Sequence, residues 1–199
     1  SYDCVIGVSG GKDSTLQAIT ARDKLGLRCL LVNNEPEGIT ELGRKNIENL
    51  KNLGFDTLAL RPNPQVLKKM IKRDFYKYLN PQRITEFSLY CSSFIIADQF
   101  NIPLVIQGEN EALTLGTTGY PDGSDADAYT ITSSNTFSKG WQDYLEEVEE
   151  KDLFMFHFNQ EKMEKKGIRA IWLQYFYKNW SNDGNAKFAQ SYGFQTREE

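Results

Sequence analysis

Short apolar runs alternate with amphipathic segments along most of this 199-residue chain. A strand covered on both faces of a sheet is apolar throughout, whereas a surface helix is apolar along one stripe. The segments 39–54 and 64–79 show the helical spacing. The continuous apolar runs read as five strands, at 3–8, 27–34, 56–61, 102–107 and 168–176. This alternation predicts one α/β domain over 1–199, with an open, mostly parallel, five-stranded sheet that carries helices on both faces.

The first apolar run leads directly into SGGKDS at 9–14. In open parallel sheets, ligands bind beyond the carboxyl ends of the strands. The glycines let the backbone approach a ligand closely, and the following helix N-terminus presents unpaired N–H donors with a partial positive charge. The stretch therefore predicts an anion site, most often for phosphate, to which Lys12 and the hydroxyls of Ser9 and Ser14 contribute. Asp13 would repel phosphate unless it caps the helix or faces a Mg²⁺ ion.

Two common glycine-rich phosphate loops do not fit this stretch. The P-loop pattern would need glycine at position 6 and serine or threonine at position 13, where the chain has Ile6 and Asp13. The dinucleotide pattern fails because Gly7, Gly10 and Gly11 have the wrong spacing. The alternative that Gly10-Gly11 is only a tight turn does not explain the whole string between a strand and a helix.

Composition excludes several classes of protein. The formal net charge of −4 lowers the expectation of a nucleic-acid partner, which usually meets a basic face. No apolar stretch approaches the roughly 18 residues of a membrane span, so no membrane partner is expected. The three cysteines are widely spaced and form no CxxC pair, which favours a reducing, cytoplasmic location over a disulfide framework.

The SGGKDS stretch resembles the signature of the PP-loop, or N-type, ATP pyrophosphatases. Members of that superfamily have a Rossmann-type fold, cleave ATP between the α and β phosphates, and adenylate an oxygen of their substrate. Further blocks at 40–56, 101–116, 167–176 and 185–194 resemble, in order, the N-acetyl sugar amidotransferases of bacterial lipopolysaccharide, surface-polysaccharide and flagellin-glycan synthesis. Those enzymes act on nucleotide-linked amino sugars and on sialic-like acids such as pseudaminic and legionaminic acid. They convert an acetamido group into an acetamidino group.

The resemblance implies ATP and Mg²⁺ as cofactors and gives the loop its roles. Lys12 is assigned to charge stabilisation on the departing pyrophosphate, and Asp13 to catalysis as a Mg²⁺ ligand. Asn33 ends the second strand, where the adenine or ribose lies in this superfamily; the alternative is a turn-forming pair with Asn34. The ATP-binding residues of the loop are then Ser9, Gly10, Gly11, Lys12, Asp13 and Ser14.

The stretch that follows the fourth strand, GENE at 108–111, supplies the acceptor side of the predicted site. Gly108 permits close approach of the backbone to ATP. Glu109 is assigned to catalysis, where it binds Mg²⁺ or orients ammonia or substrate. Asn110 and Glu111 are assigned to binding of the sugar. A glycine turn followed by solvated acids is the structural alternative.

The resemblance also implies partners. An N-acetylated sugar is the expected substrate, and a glutaminase subunit is expected to supply ammonia, through a cyclase-like channel subunit. A homodimer is compatible with these expectations. Segments that family members carry upstream and beyond the last strand are absent from this sequence, and no zinc site is carried over. Rival hypotheses are a tRNA-thiolating PP-loop enzyme, an NAD-synthetase-like ammonia ligase and a nucleotide-binding sensor without turnover.

Other features of the sequence favour structural roles. The segment 117–160 is less regular, with a loop rich in Gly, Ser, Thr and Asp at 117–136 that is typical of an irregular insertion or a lid. His157 lies in an aromatic context far from any motif, and Cys91 lies on an apolar helix, so both are expected to be structural. Lys68, Lys69, Lys72 and Arg73 are expected to form a solvated basic face.

Overall fold

The structure is a computed structural model, and it describes residues 1–35, 38–108, 126–133, 139–177 and 181–197. Within these ranges the strands form a single five-stranded sheet in the order β3-β2-β1-β4-β5. Every neighbouring pair in the sheet is parallel. The predicted α/β fold with five parallel strands is confirmed. The strands are β1 Cys4–Gly7, β2 Cys29–Asn34, β3 Asp56–Leu60, β4 Leu104–Gln107 and β5 Arg169–Trp172.

Helices connect and cover these strands. The α-helices are α1 Lys12–Ile19, α2 Glu41–Asn52, α3 Pro64–Tyr78, α4 Arg83–Phe100, α5 Gln160–Lys165 and α6 Asn182–Ser191. A π-helical turn, Thr20–Lys24, continues α1. Among the helices of the described segments, none combines the length and the apolar character that crossing a lipid bilayer requires.

Side-chain caps define where several helices begin. Thr40 Oγ1 accepts a hydrogen bond of 3.1 Å from the N–H of Gly43 at the start of α2. Asn63 Oδ1 accepts one of 2.9 Å at the start of α3, and Ser181 Oγ accepts one of 3.0 Å at the start of α6. The first helix begins differently, because its N-cap residue is Gly11. Since glycine has no side chain, the N–H groups of the first turn of α1 are left open to an external acceptor.

Two apolar layers cover the sheet, because alternate residues of each strand point to opposite faces. On one face, Val5 of β1 packs in a core formed with α3, α4 and residues from 126–172. On the other face, Cys4 and Ile6 pack with residues of α1, α2 and the region around α6. The central strand is therefore buried on both faces, which explains its continuous apolar run.

The switch point of the sheet lies beside β1. The chain proceeds from β1 through β2 to β3 on one side, and β4 and β5 are added on the other side. Val5 pairs with Val105 and Ile6 with Ile106, so the carboxyl ends of β1 and β4 lie next to each other. Ligands of open parallel sheets bind at such a switch point. The fold thus places SGGKDS and Gly108 at one edge of the sheet.

The described part of the insertion is packed into the core. It forms short 3₁₀ turns at Ala128–Ser133, Trp141–Tyr144 and Glu150–Phe156. Tyr129 stacks on Phe94 of α4 with ring centroids 5.4 Å apart. These described parts of 117–160 thus form a layer packed on α4. The remaining parts, 117–125 and 134–138, lie outside the described residues.

A buried ionic cluster joins the insertion to α3 and α4. The guanidinium of Arg73 contacts Asp143 Oδ1 at 2.9 Å, and Arg83 Nη1 lies 3.3 Å from Asp143 Oδ2. Tyr144 donates a hydrogen bond of 2.7 Å to Asp74 Oδ2. The side chain of Arg73 is only 4% exposed, so its assignment to a solvated basic face was wrong. The surrounding lysines made Arg73 look like part of an exposed face in the sequence, because its partner Asp143 lies 70 residues away.

The electrostatics of this cluster depend on its burial. Burial by itself raises the pKa of Asp143, but hydrogen bonds from Arg73, Tyr78 and Lys77 outweigh it and hold the pKa well below its ordinary value. Burial raises the pKa of Asp74, and the hydrogen bond from Tyr144 only partly offsets this. The cluster therefore favours the ionised form of Asp143 and shifts Asp74 towards its neutral form.

Candidate functional site

The loop after β1 bends sharply because of Gly10. Its φ is +78°, in the region that favours glycine, and a Cβ at this position would lie 3.0 Å from the carbonyl oxygen of Gly43 and 3.2 Å from Ile47 Cγ1. Before the bend, the N–H of Val8 donates a hydrogen bond of 2.8 Å to the carbonyl of Val32. The loop is thus fixed between β2 and α2, and any larger residue at position 10 would push against helix α2.

Two side-chain hydroxyls in the first turn of α1 donate hydrogen bonds to the backbone at the start of the same helix. Thr15 Oγ1 donates to the carbonyl of Gly11 at 2.9 Å, and Ser14 Oγ donates to the same carbonyl at 3.1 Å. Both side chains are buried. In this arrangement the hydroxyl proton of Ser14 is used within the helix, so donation to an anion falls to the backbone N–H groups and to Lys12.

Lys12 and Asp13 form an ion pair at the mouth of the site, with side chains 28% and 14% exposed. Lys12 Nζ contacts Asp13 Oδ2. The other carboxylate oxygen, Oδ1, accepts a hydrogen bond of 2.7 Å from Nδ2 of Asn185. Asn185 lies on α6 and is 5% exposed. Sequence reasoning missed this residue, although it opens the last block of the resemblance at 185–194.

Two adjoining cavities meet at this loop. The first, of about 260 Å³, lies between the loop and the end of β4 and is lined by Gly7, Ser9, Gly11, Asp13, Ser14, Leu89, Tyr90, Gln107 and Gly108. The second, of about 480 Å³, lies beyond the end of β2 against α3 and α4 and includes apolar walls from Leu67, Ile71 and Leu89. Ser9 and Leu89 line both cavities. The loop cavity therefore adjoins a larger cavity with apolar walls, and a molecule with an anionic tail at the loop and a flat ring against those walls would match the pair.

The asparagines at the end of β2 face different ways. Asn33 is 4% exposed, and its Nδ2 donates a hydrogen bond of 2.8 Å to the carbonyl of Val8, which ties β2 to the loop. Its side chain lies outside the two cavities at the loop. Asn34 lines the larger cavity, and its Oδ1 accepts a hydrogen bond of 3.1 Å from Ser88 Oγ on α4. This bond holds the side chain of Asn34 at the wall of the larger cavity.

The turn after β4 is held from two sides. Gln17 of α1, which is fully buried, donates from Nε2 to the carbonyl of Gly108. Gln107 donates from Nε2 to Ser93 Oγ at 2.9 Å and to the carbonyl of Tyr90 at 3.1 Å. Helix α1 therefore also fixes the start of the turn after β4, through Gln17, a residue that no sequence motif had indicated. The other residues predicted for that turn, Glu109, Asn110 and Glu111, lie outside the described residues.

The donor set fits a magnesium ion that is held mainly by phosphates. Among the described residues, Asp13 is the one carboxylate that lines the smaller cavity, and no group of three or more metal-binding side chains occurs in these ranges. Mg²⁺ usually keeps several waters and binds one or two carboxylates together with substrate phosphates. Each oxygen of Asp13 receives one hydrogen bond and keeps a lone pair. Asp13 thus matches the usual share of protein ligands for a Mg²⁺ ion bound together with a polyphosphate.

The cysteines and the histidine take no part in the site. Cys4 Sγ donates to Cys29 Sγ at 3.5 Å across neighbouring strands, and both thiols are free and buried. This hydrogen bond and burial raise the pKa of Cys4, and burial raises the pKa of Cys91. His157 packs against Trp141 with ring centroids 4.1 Å apart. None of these residues lines either cavity at the loop.

Comparison with known proteins gives structural likeness without a family. No protein-family model matches the chain, and no curated protein matches it. A predicted subunit of tRNA methyltransferase from Methanocaldococcus jannaschii is 16% identical, with a TM-score of 0.49, over 96% of this chain and 75% of that one. NMN synthetase from Francisella tularensis is 15% identical, with a TM-score of 0.46, over 96% of this chain and 84% of that one.

A third solved structure is the glutamine-dependent NAD⁺ synthetase from Acinetobacter baumannii. It is 16% identical, with a TM-score of 0.44, over 83% of this chain and 39% of that one. At these identities and TM-scores the likenesses carry no conclusion about activity. The chemistry of the site has to be inferred from the residues that form it.

Proposed function

We propose that this chain is a PP-loop ATP pyrophosphatase that acts as an ATP-dependent, C–N bond-forming ligase. The observation that carries the proposal is the loop at 9–14, which follows β1, starts α1 without a side-chain cap, and lines a cavity that shares Ser9 and Leu89 with a larger cavity beside it. ATP fits this pair of cavities with its phosphates at the loop and its adenine against α3 and α4. Asn34 replaces Asn33 as the side chain that would contact the adenine or ribose.

The finer proposal is an amidotransferase that acts on the acetamido group of an N-acetylated sugar. The acetamido oxygen attacks the α-phosphorus of ATP, and pyrophosphate leaves. Ammonia then adds to the activated carbon, and AMP departs with the former amide oxygen, which leaves an acetamidino group. The adenylation is needed because an amide oxygen by itself is a poor leaving group.

The residues of the chain have separate tasks in this reaction. The backbone N–H groups at the start of α1 and the ammonium of Lys12 stabilise the charge that develops on pyrophosphate. Asp13 holds Mg²⁺, which supplies further neutralisation of phosphate charge. Gly108 lines the smaller cavity, and Glu109, Asn110 and Glu111 are proposed to act on the acceptor.

The partners proposed for this reaction are a glutaminase that supplies ammonia, a cyclase-like channel subunit and a second copy of the chain. The tRNA-thiolating alternative is not favoured, because that chemistry needs accessible cysteines near the nucleotide. Cys4 and Cys29 are adjacent, but they are 0% and 6% exposed within the core. The NAD-synthetase-like ligase and the sensor remain alternatives that experiment must separate.

The test is pyrophosphate release from ATP in the presence of ammonium and candidate acetamido sugars, both free and nucleotide-linked. We expect release of AMP and pyrophosphate with one class of sugar, together with a product in which NH replaces O by mass spectrometry. Release of ADP and phosphate would contradict cleavage between the α and β phosphates. Release only with an NAD precursor would favour the NAD-synthetase-like ligase. ATP binding without turnover with any acceptor would favour the sensor.

A matched pair of variants connects the activity to the loop. Asp13→Ala is expected to abolish release while the protein stays folded, because the carboxylate at the phosphate cavity is lost. Asp23→Ala is the control, since Asp23 also pairs with the cation that precedes it, Arg22, but lies at the far end of the same helical segment. Retained turnover in Asp13→Ala would remove Asp13 from the mechanism.

A further inference from the structure

Asn185 connects the C-terminal part of the chain to the nucleotide loop. It lies in the first turn of α6, where Ser181 caps the helix, and α6 packs along α1. Its Nδ2 donates a hydrogen bond of 2.7 Å to Asp13 Oδ1 over a separation of 172 residues. Asn185 is 5% exposed, so burial fixes the direction in which the amide points.

The carboxylate of Asp13 is consequently held by two donors of different charge. Lys12 binds Oδ2 with a positive charge, whereas Asn185 binds Oδ1 with a neutral amide. A neutral donor orients a carboxylate without cancelling its negative charge. The distinction matters because Lys12 is also the side chain assigned to the phosphates under the proposed function.

Binding of a polyphosphate would change which donors hold the carboxylate of Asp13. When the ammonium of Lys12 turns to the phosphates, Asp13 loses its cationic partner, and the hydrogen bond from Asn185 remains. Without that bond, no side chain would hold the carboxylate in its present direction, and it would be free to rotate away from the cavity. With the bond, Asp13 stays directed at the cavity that it lines.

We propose that Asn185 is a positioning residue that holds Asp13 in place for Mg²⁺ when Lys12 transfers to the phosphates of the bound nucleotide. This inference rests on the proposed function. It assigns a role in the nucleotide site to α6, which follows the last strand of the sheet. Groups that hydrogen-bond to metal ligands in this way typically contribute about 10–100-fold to metal affinity or activity.

The test measures binding and not turnover. The probe is α,β-methylene-ATP, whose bridging carbon prevents cleavage. Its affinity for the protein is measured by calorimetric titration, once in the presence of Mg²⁺ and once in the presence of EDTA. For the unaltered protein we expect tighter binding with Mg²⁺. Asn185→Ala and Asn185→Leu, which remove the amide without adding a charge, are expected to reduce the Mg²⁺-dependent gain by about 10–100-fold and to leave binding in EDTA nearly unchanged.

Asn46→Ala is the matched control. Asn46 is 4% exposed and also anchors the C-terminal region, through hydrogen bonds of 3.0 and 2.9 Å with the backbone of Gln195. It does not contact Asp13. If Asn46→Ala reduced the Mg²⁺-dependent gain as much as Asn185→Ala does, the role of Asn185 would be structural and the inference would be overturned.

A double variant separates folding from positioning. Asp13→Asn combined with Asn185→Asp restores a carboxylate–amide pair between α1 and α6 but moves the charge onto α6. We expect its melting temperature to return towards that of the unaltered protein while the Mg²⁺-dependent gain stays lost. Recovery of that gain in the double variant would overturn the inference.

The two proposals fail differently. If the unaltered protein binds no adenine nucleotide, the proposed function is refuted, and the role of Asn185 falls with it. If the unaltered protein binds the nucleotide with a Mg²⁺-dependent gain that both Asn185 variants retain, only the positioning role is refuted.

Discussion

Replacement of Gly10 by alanine tests why the loop at 9–14 needs glycine at this position. Two effects act together at this position. A φ of +78° is strained for alanine, and a residue other than glycine in this region costs on the order of 1–3 kcal/mol. The added Cβ would also lie 3.0 Å from the carbonyl oxygen of Gly43. Because that atom belongs to the backbone of α2, it cannot rotate away, and the loop or the helix has to shift.

Gly26→Ala is the matched control for strain without crowding. Gly26 has a φ of +68°, and a Cβ there would meet nothing within 4 Å. We therefore expect Gly26→Ala to lower the free energy of unfolding by about 1 kcal/mol and Gly10→Ala to lower it by about 3 kcal/mol. For a domain of this size, each kcal/mol lowers the melting temperature by about 2–4 °C. The expected shifts are then about 2–4 °C and about 6–12 °C.

The assays are thermal unfolding followed by circular dichroism and calorimetric titration with ATP. Gly10→Ala should also weaken ATP binding, because a shifted loop no longer aims its N–H groups into the cavity, whereas Gly26→Ala should bind normally. Equal melting temperatures for the two variants would refute the contribution of the contact with α2. Normal ATP binding by Gly10→Ala would refute the assignment of the loop to the phosphates.

Three further predictions concern stability and thiol access. Asp143→Asn should cost about 3–5 kcal/mol in urea unfolding, because it leaves buried guanidinium groups without their partner. The pKa of Asp143 is depressed in the folded state. The contribution of its carboxylate to the free energy of unfolding is therefore complete above about pH 4 and is lost as the pH falls below that value. Acid should consequently destabilise the variant less than the unaltered protein. Burial raises the pKa of Tyr129 to about 12, so the stability from its neutral form is complete below about pH 10 and is lost as the pH rises through about 12. Tyr129→Phe should flatten this alkaline loss and, since the hydroxyl donates to the carbonyl of Ile168, lower stability at pH 7 by about 1 kcal/mol. All three cysteines are buried, so a thiol reagent should label the protein only after unfolding, and rapid labelling of the native protein would contradict the packing of the sheet.

The sequence by itself determined the sheet and the location of the loop. Periodicity is a local property, and a strand buried on both faces has to be apolar along its whole length. The five strands and their parallel arrangement follow from that pattern. The string at 9–14 likewise combines a turn, a helix start and a cation within a few residues, so an anion site can be predicted there without a structure. The specific reaction stays a proposal, because sugar, ammonia source and acceptor residues leave no comparable local pattern.

Only the tertiary structure decided which side chains meet at the site. The contact between Asn185 and Asp13 joins residues at opposite ends of the chain. Asn33 and Asn34 line different cavities, because the pleat of β2 turns successive side chains to opposite faces. Arg73 looked like a surface cation because its partner Asp143 belongs to an irregular segment without periodicity. In each case the deciding energy comes from burial and hydrogen bonding between distant residues, and these depend on how the helices pack.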